Sequence, residues 1–258
     1  MNISLNPELL HIYGPLSINA YGLCIALGIA ISMYLVRRNK RYKQLHLESV
    51  FSDIITVSII AGIIGGRAVE IISNYAAYHH WIDWFALWEG GFSALGAIIG
   101  VITITPWYIK KLHIPLLPTF DLVAIYAPLM QSIARIGCLL AGCCHGIPTT
   151  SPFAIIYTHP HTIAHSSLAV HPTQLYSSLL LLCIFLYMFF YAQHHYKKPG
   201  LLFCNYLILT SLERFLIDFL RADHADIYGI FLSFHQIIAL LLLIGALIKT
   251  ICIWKKQG

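Results

Sequence analysis

The sequence predicts an all-α integral membrane protein of about seven transmembrane helices, with its N-terminus outside and its C-terminus cytoplasmic. Three observations predict it. The 258 residues are 58% hydrophobic and only 10% charged, a balance too apolar for a soluble domain. Apolar runs long enough to cross about 30 Å of hydrocarbon, which takes about 20 helical residues, recur along the whole chain. Basic residues gather on one side of the spans so defined.

The predicted spans are 16–36, 51–72, 91–109, 121–141, 173–193, 201–221 and 230–253. The first reads as a retained helix rather than a cleaved signal, because its basic cluster follows it and no small-residue cleavage site is evident. Arg37, Arg38, Lys40, Arg41 and Lys43 follow that span. Lys110 and Lys111 follow the third, Lys197 and Lys198 the fifth, and Lys249, Lys255 and Lys256 close the chain. All of these fall on one side of a seven-span layout, which the positive-inside rule makes cytoplasmic. The net charge of +5 therefore reports topology, and no nucleic-acid partner is expected.

No charged linker, Ser/Gly-rich tract or fixed-period repeat divides the sequence, so residues 1–258 read as a single polytopic membrane domain. The outside connections are a segment around 11–15, an aromatic loop 75–88 and a longer loop 147–172. Trp81, Trp84 and Trp88 suit interfacial anchoring. Gly62-x-x-x-Gly66 and Gly96-x-x-x-Gly100 are small-residue spacings that let helices approach closely.

Four basic residues remain, Arg67, Arg135, Arg214 and Arg221, and each falls in or at the edge of a span. An arginine at mid-bilayer costs roughly 2.5–3.5 kcal/mol even on the lenient insertion scale, so four of them argue for an interior, hydrated or ion-paired site. Arg214, Asp218 and Arg221 stand at i, i+4 and i+7, one helix face, where Asp218 can bridge both arginines and leave guanidinium donors free. Arg67 and Glu70 are i, i+3 neighbours, and Glu213 is near at hand. Arginine suits a phosphate, because its planar fork donates two parallel hydrogen bonds and keeps its proton when desolvated. The anion available in a bilayer is a phospholipid headgroup. The plainer alternative, arginines that fix helix register or snorkel, suits one such residue better than four.

His159, His161, His165 and His171 share one outside loop, and with Cys143 and Cys144 they raise a metal-site reading. Their spacing matches no tight ligand pattern, so no metal is expected. No disulfide pairing can be read from the seven cysteines, and Cys143 and Cys144 are too close for an unstrained mutual bridge.

At Arg135-Ile136-Gly137, and onward to Gly142 and Gly146, the sequence resembles the prolipoprotein diacylglyceryl transferase family. Arg135, Gly137, Gly142 and Gly146 match the arginine and three later glycines of its signature. Cys138, Ala141 and Cys143 replace its Asn, Asn and Glu, as in a Cys-rich G-C-C-x-G version. Other landmarks follow the family order: Ala20-Tyr21-Gly22-Leu23, Gly65-Gly66-Arg67, Trp88-Glu89-Gly90-Gly91, Ala127-Pro128, His171-Pro172-Thr173-Gln174-Leu175-Tyr176, and Arg214, Asp218 and Arg221 with Asp for the family Glu. Where familiar members carry a His after the Trp-Asp-Gly-Gly turn, this chain has Leu95.

The resemblance implies transfer of a diacylglyceryl group from phosphatidylglycerol to the lipobox cysteine thiol of prelipoproteins in the bacterial cytoplasmic (inner) membrane. A thioether forms, glycerol phosphate is released, and no cofactor is needed. It assigns Arg135 and Arg214 to the phosphate, Arg221 and Asp218 to orienting Arg214, Arg67 to lipid binding, and Tyr21 to a headgroup hydrogen bond. Gly137, Gly142 and Gly146 give close backbone approach. With Leu95 at the His position, His145 or His171 is the candidate base, and Cys138, Cys143 and Cys144 read as packing or turn residues. Two alternatives stand beside it. One is a catalytically silent paralogue that binds anionic phospholipid or lipopeptide, which Leu95 favours; the other is an anion transporter, which the lack of repeat symmetry opposes.

Overall fold

A computed structural model of the chain describes residues 2–3, 8–13, 16–75, 78, 80, 84–85, 91–159, 162, 168–223, 226–227 and 230–255. Trp81, Trp88, Glu89, Gly90, His161, His165 and Lys256 lie outside the described residues. The helices are α1 (Ala20–Arg38), α2 (Lys40–Gln44), α3 (Phe51–Ser73), α4 (Ala94–Lys111), α5 (Leu116–Ala141), α6 (Thr173–Tyr187), α7 (Gln193–His195), α8 (Leu201–Asp218) and α9 (Phe234–Lys255). A π-helical turn, Met188–Ala192, joins α6 to α7.

Each predicted span coincides with a long helix. Five of them, α1, α3, α5, Thr173–His195 and α9, are long and apolar enough to cross a membrane. The other two, α4 and α8, have 18 residues each. Lys110 and Lys111 end the first, while Glu213, Arg214 and Asp218 punctuate the second.

The chain divides into two compact units. One comprises Met1–Ile12, Ser17–Arg38 and Phe120–Gly258, the other Tyr13–Leu16 and Asn39–Thr119.

In the smaller unit, α3 and α4 pack closely because small residues line their seam. A Cβ on Gly96 would fall 2.3 Å from the Gly65 carbonyl oxygen, and one on Gly100 would fall 2.2 Å from that of Ala61. The Gly96/Gly100 expectation is thus borne out. On α3 the tightest contacts are made by Ala61 and Gly65, one residue before the expected Gly62 and Gly66. Farther along the seam, the Ser58 and Thr105 hydroxyls meet at 2.9 Å.

In the larger unit, α8 packs against α6 and α9, and polar side chains lock the helices together. Ser132 on α5 donates to the Ser178 carbonyl at 2.8 Å, and Ser178 on α6 returns a bond to the Ser132 carbonyl at 2.9 Å. Asp121, buried on α5, accepts from the Gly200 and Phe203 amides at 2.6 and 2.8 Å. Its carboxylate thereby satisfies orphan donors at the α8 N-terminus and opposes the helix dipole, an arrangement worth up to about 2 kcal/mol when partly buried. Gly200 takes the left-handed φ of 91° that this entry requires.

A capping box starts α9: Gln236 N–H donates to Ser233 Oγ at 3.1 Å, and Ser233 N–H donates to Gln236 Oε1 at 2.9 Å. Beyond α5 the loop carries its own small core of Ile155, Tyr157 and Val170, packed on Leu139. Tyr157 is buried enough that its phenol is pushed up to about 12, mainly by desolvation.

Candidate functional site

The site forms in the larger unit, where the C-terminal end of α5 meets the segments before α6 and after α8. At Gly142 and Cys144 the chain leaves α5 with left-handed φ values of 73° and 60°, which turn it back on itself. That conformation is uncommon for a residue with a Cβ and persists where the surroundings hold it. Here they do so through side chains: Thr173 Oγ1 donates to the Cys144 carbonyl at 2.7 Å, and Gln174 Nε2 to the Cys143 carbonyl at 2.6 Å.

The strand after this reversal is bound on both sides. The Gly146 amide donates to the His171 carbonyl at 2.9 Å, the Ile147 amide to that of Leu220 at 2.9 Å, and the Ala222 amide to that of His145 at 3.0 Å. Gly146 lies too close to its neighbours to carry a side chain, since a Cβ would fall 2.6 Å from both His171 Cβ and the Leu220 carbonyl oxygen. Gly137 serves the same purpose inside the bundle, where a Cβ would meet Cys24 Cβ at 2.9 Å and Tyr21 Cα at 3.1 Å. Tyr21 thereby comes within electrostatic reach of Arg135 and the cysteines.

The expected ion pairs form, but not on one helix face: α8 ends at Asp218, and Arg221 reaches that carboxylate from the turn beyond the helix. Asp218 Oδ1 stands 3.3 Å from Arg214 Nη2 and 3.8 Å from Arg221 Nε. Asp218 is itself fixed by a hydrogen bond from Ser233. Arg221 is also clasped by Asp223, which holds that carboxyl below its usual range, first through the Arg221 hydrogen bond. Glu213 is buried and accepts from Ser177. Arg135 differs from both other arginines: its half-buried guanidinium makes no hydrogen bond or ion pair among the described residues. Its charge bears on Arg214, as does that of Arg221.

The two candidate bases lie on the strap that the backbone hydrogen bonds around Gly146 make of the segments after α5 and before α6. His145 Nδ1 is 3.1 Å from the Gly146 carbonyl oxygen, and His171 Nδ1 is 3.4 Å from the Tyr176 hydroxyl. Tyr21, Arg135, Gly137, Gly142, His145, Gly146, His171, Arg214, Asp218 and Arg221 thus all belong to the larger unit.

Arg67 belongs to the smaller one, where it is buried and holds a turn together. Its Nε donates to the Trp84 carbonyl at 3.0 Å and its Nη1 to that of Gly91 at 2.9 Å. Leu95 opens the first turn of α4 and is exposed.

Sequence reading missed Gln174, Thr173 and Tyr157 as parts of the reversal, with Gln174 Nε2 also reaching the Tyr157 hydroxyl at 3.1 Å. A fully apolar helix start has no need of the Thr-Gln pair, and that mismatch was the available signal.

The family model for prolipoprotein diacylglyceryl transferase matches residues 7–252. A Clostridium tetani protein named phosphatidylglycerol–prolipoprotein diacylglyceryl transferase is 33% identical over 98% of this chain and 100% of its own length. A Clostridium perfringens protein named as the second such transferase is 33% identical over 90% of each chain. A Thermotoga maritima protein of the same name is 30% identical over 90% of this chain and 80% of its own.

Proposed function

The chain belongs to the prolipoprotein diacylglyceryl transferase family, and on that premise we propose how its site performs the reaction. The protein is an enzyme that transfers a diacylglyceryl group from phosphatidylglycerol to prolipoproteins; a silent paralogue is not favoured. The acceptor is the lipobox cysteine, whose thiolate attacks the glycerol carbon. The new bond is a thioether, and the phosphate departs as glycerol phosphate.

One observation carries the phosphate assignment: Arg135 has no protein partner among the described residues and lies within electrostatic reach of Arg214, which gives Asp218 a single contact. Donors aimed at a departing phosphate supply the electrostatic stabilisation that is usually the largest contribution to catalysis. Asp218 and Arg221 are positioning residues that aim Arg214. Tyr21, partly exposed beside Arg135, hydrogen-bonds the headgroup, and Gly137, Gly142 and Gly146 keep the backbone close to it. Arg67 holds its own turn through the Trp84 and Gly91 carbonyls.

The setting is a bacterial cytoplasmic membrane, crossed seven times with the N-terminus outside, so that the strap carrying His145 and His171 meets exported substrates. The test is phosphatidylglycerol binding by Arg135→Ala and Arg214→Ala. Each variant loses it; retention in both removes the phosphate clamp.

A further inference from the structure

The reversal that brings Cys143 and Cys144 back over the end of α5 sets both beside Cys138, and the three Sγ atoms all lie within 4.8 Å of one another. The sequence alone makes these residues look like packing. In space they are a cluster of soft donors on a fixed loop.

We infer that Cys138, Cys143 and Cys144 form a three-thiolate zinc site whose fourth position takes the sulfur of the substrate cysteine. The inference rests on the proposed transfer to a thiol. Four arguments support it.

The spacing is right. Tetrahedral zinc with bonds of about 2.3 Å to sulfur places its thiolates about 3.8 Å apart, so only a small contraction closes the cluster. Thiolates also select zinc over hard cations such as magnesium and calcium.

The donors are held. Cys143 N–H bonds the Cys138 carbonyl at 3.2 Å, and the side chains of Gln174 and Thr173 hold the next two carbonyls. All three cysteines are free of disulfides.

The charge is balanced. Three thiolates with a divalent ion carry one net negative charge, and a fourth thiolate makes it two. Arg221 and Arg135 lie within electrostatic reach of the Cys144 sulfur and offset that charge.

The site is closed on one side and open on the other. Cys138 is buried, while Cys143 and Cys144 are only partly buried. Catalytic zinc sites keep three protein ligands and one open position in this way.

Such a site supplies what Leu95 cannot. A thiol bound to zinc loses its proton outright, so no strong base is needed. The substrate S–H proton passes to water, and the sulfur binds the metal. A sulfur lone pair then forms the S–C bond to the glycerol carbon. The C–O bond breaks with its electron pair going to the phosphate oxygen, and the arginines hold the resulting glycerol phosphate. The neutral thioether is a poor ligand and leaves, restoring the open position.

The experiment is cobalt(II) titration of the full-length, chelator-stripped protein, with transfer measured on the same preparations. Wild type gives an intense thiolate-to-cobalt charge-transfer band at one equivalent. A lipobox peptide strengthens the band, and the same peptide with serine for cysteine does not. Cys138→Ser, Cys143→Ser and Cys144→Ser each weaken it. At neutral pH they transfer more slowly by a factor of about 30, and their rate climbs as pH rises toward about 8.5, the ordinary thiol pKa. Absence of the band in wild type overturns the site whether or not the variants fold. A band indifferent to the cysteine peptide, or variants with wild-type rates, also overturns it, while transfer by wild type in either case leaves the proposed function standing. Metal binding without any transfer to the peptide overturns the zinc step together with the function on which it rests.

Discussion

The Gly146 amide donates to the His171 carbonyl at 2.9 Å, and a Cβ on Gly146 would lie 2.6 Å from His171 Cβ. This contact joins the segment after α5 to the segment before α6, so both candidate bases and the cysteine reversal depend on it. Gly146→Ala must push against the Leu220 backbone as well, at a cost of about 1–3 kcal/mol for overpacking. Thermal unfolding in detergent reads the loss, and transfer falls with it. An unchanged melting temperature contradicts the strap.

Arg135→Lys keeps the positive charge and loses the planar fork. Removing one donor to a developing oxyanion costs about 10²–10³ in rate, so Arg135→Ala falls by that factor and lysine recovers only part of it. Initial rates with phosphatidylglycerol decide this. Full activity with lysine shows that charge alone suffices.

Asp218→Asn leaves Arg214 and Arg221 without their shared counter-charge. Breaking a buried pair from one side costs about 3–5 kcal/mol, and a loosened Arg214 raises the KM for the lipid more than it lowers kcat. Restored KM in Asp218→Glu separates aiming from simple folding loss. A change in kcat alone argues against the positioning role.

The seam between α3 and α4 predicts a contrast within one spacing pattern. Gly100→Leu meets the Ala61 carbonyl at Cβ, where only 2.2 Å is available, whereas a Cβ on Gly62 has 3.4 Å to Val101 Cγ2. Gly100→Leu therefore loses stability at or above the upper end of about 1–3 kcal/mol, and Gly62→Ala melts near wild type. Equal melting temperatures contradict this packing.

Burial raises the Tyr157 phenol to about 12 in the folded protein, against about 10 when unfolded. A raised pKa favours the neutral form on folding, so this contribution is fully present below about pH 10 and is lost as pH rises toward 12. Tyr157→Phe flattens the alkaline limb of stability in that window. An identical limb shows that Tyr157 is not the group involved.

The long helices were legible because hydropathy alone sets them, and the Arg214–Asp218 pair because helical periodicity places those residues together; Arg221 joins them from beyond the end of α8. Asp121 was not legible: its partners at the start of α8 lie 79 and 82 residues away, and no local pattern announces a carboxylate used as a distant helix cap. The cysteine cluster was hidden for a similar reason. It depends on left-handed φ values at Gly142 and Cys144 and on tethers from Thr173 and Gln174, none of which spacing along the chain expresses.

Transfer itself is read most directly from the mass of a lipobox peptide after incubation with the purified protein and phosphatidylglycerol. The peptide gains one diacylglyceryl group on the cysteine, with one glycerol phosphate released per adduct, and in Arg135→Ala both products form about 10²–10³ times more slowly. A peptide of unchanged mass, with phosphatidylglycerol still bound to the wild-type protein, would contradict transfer.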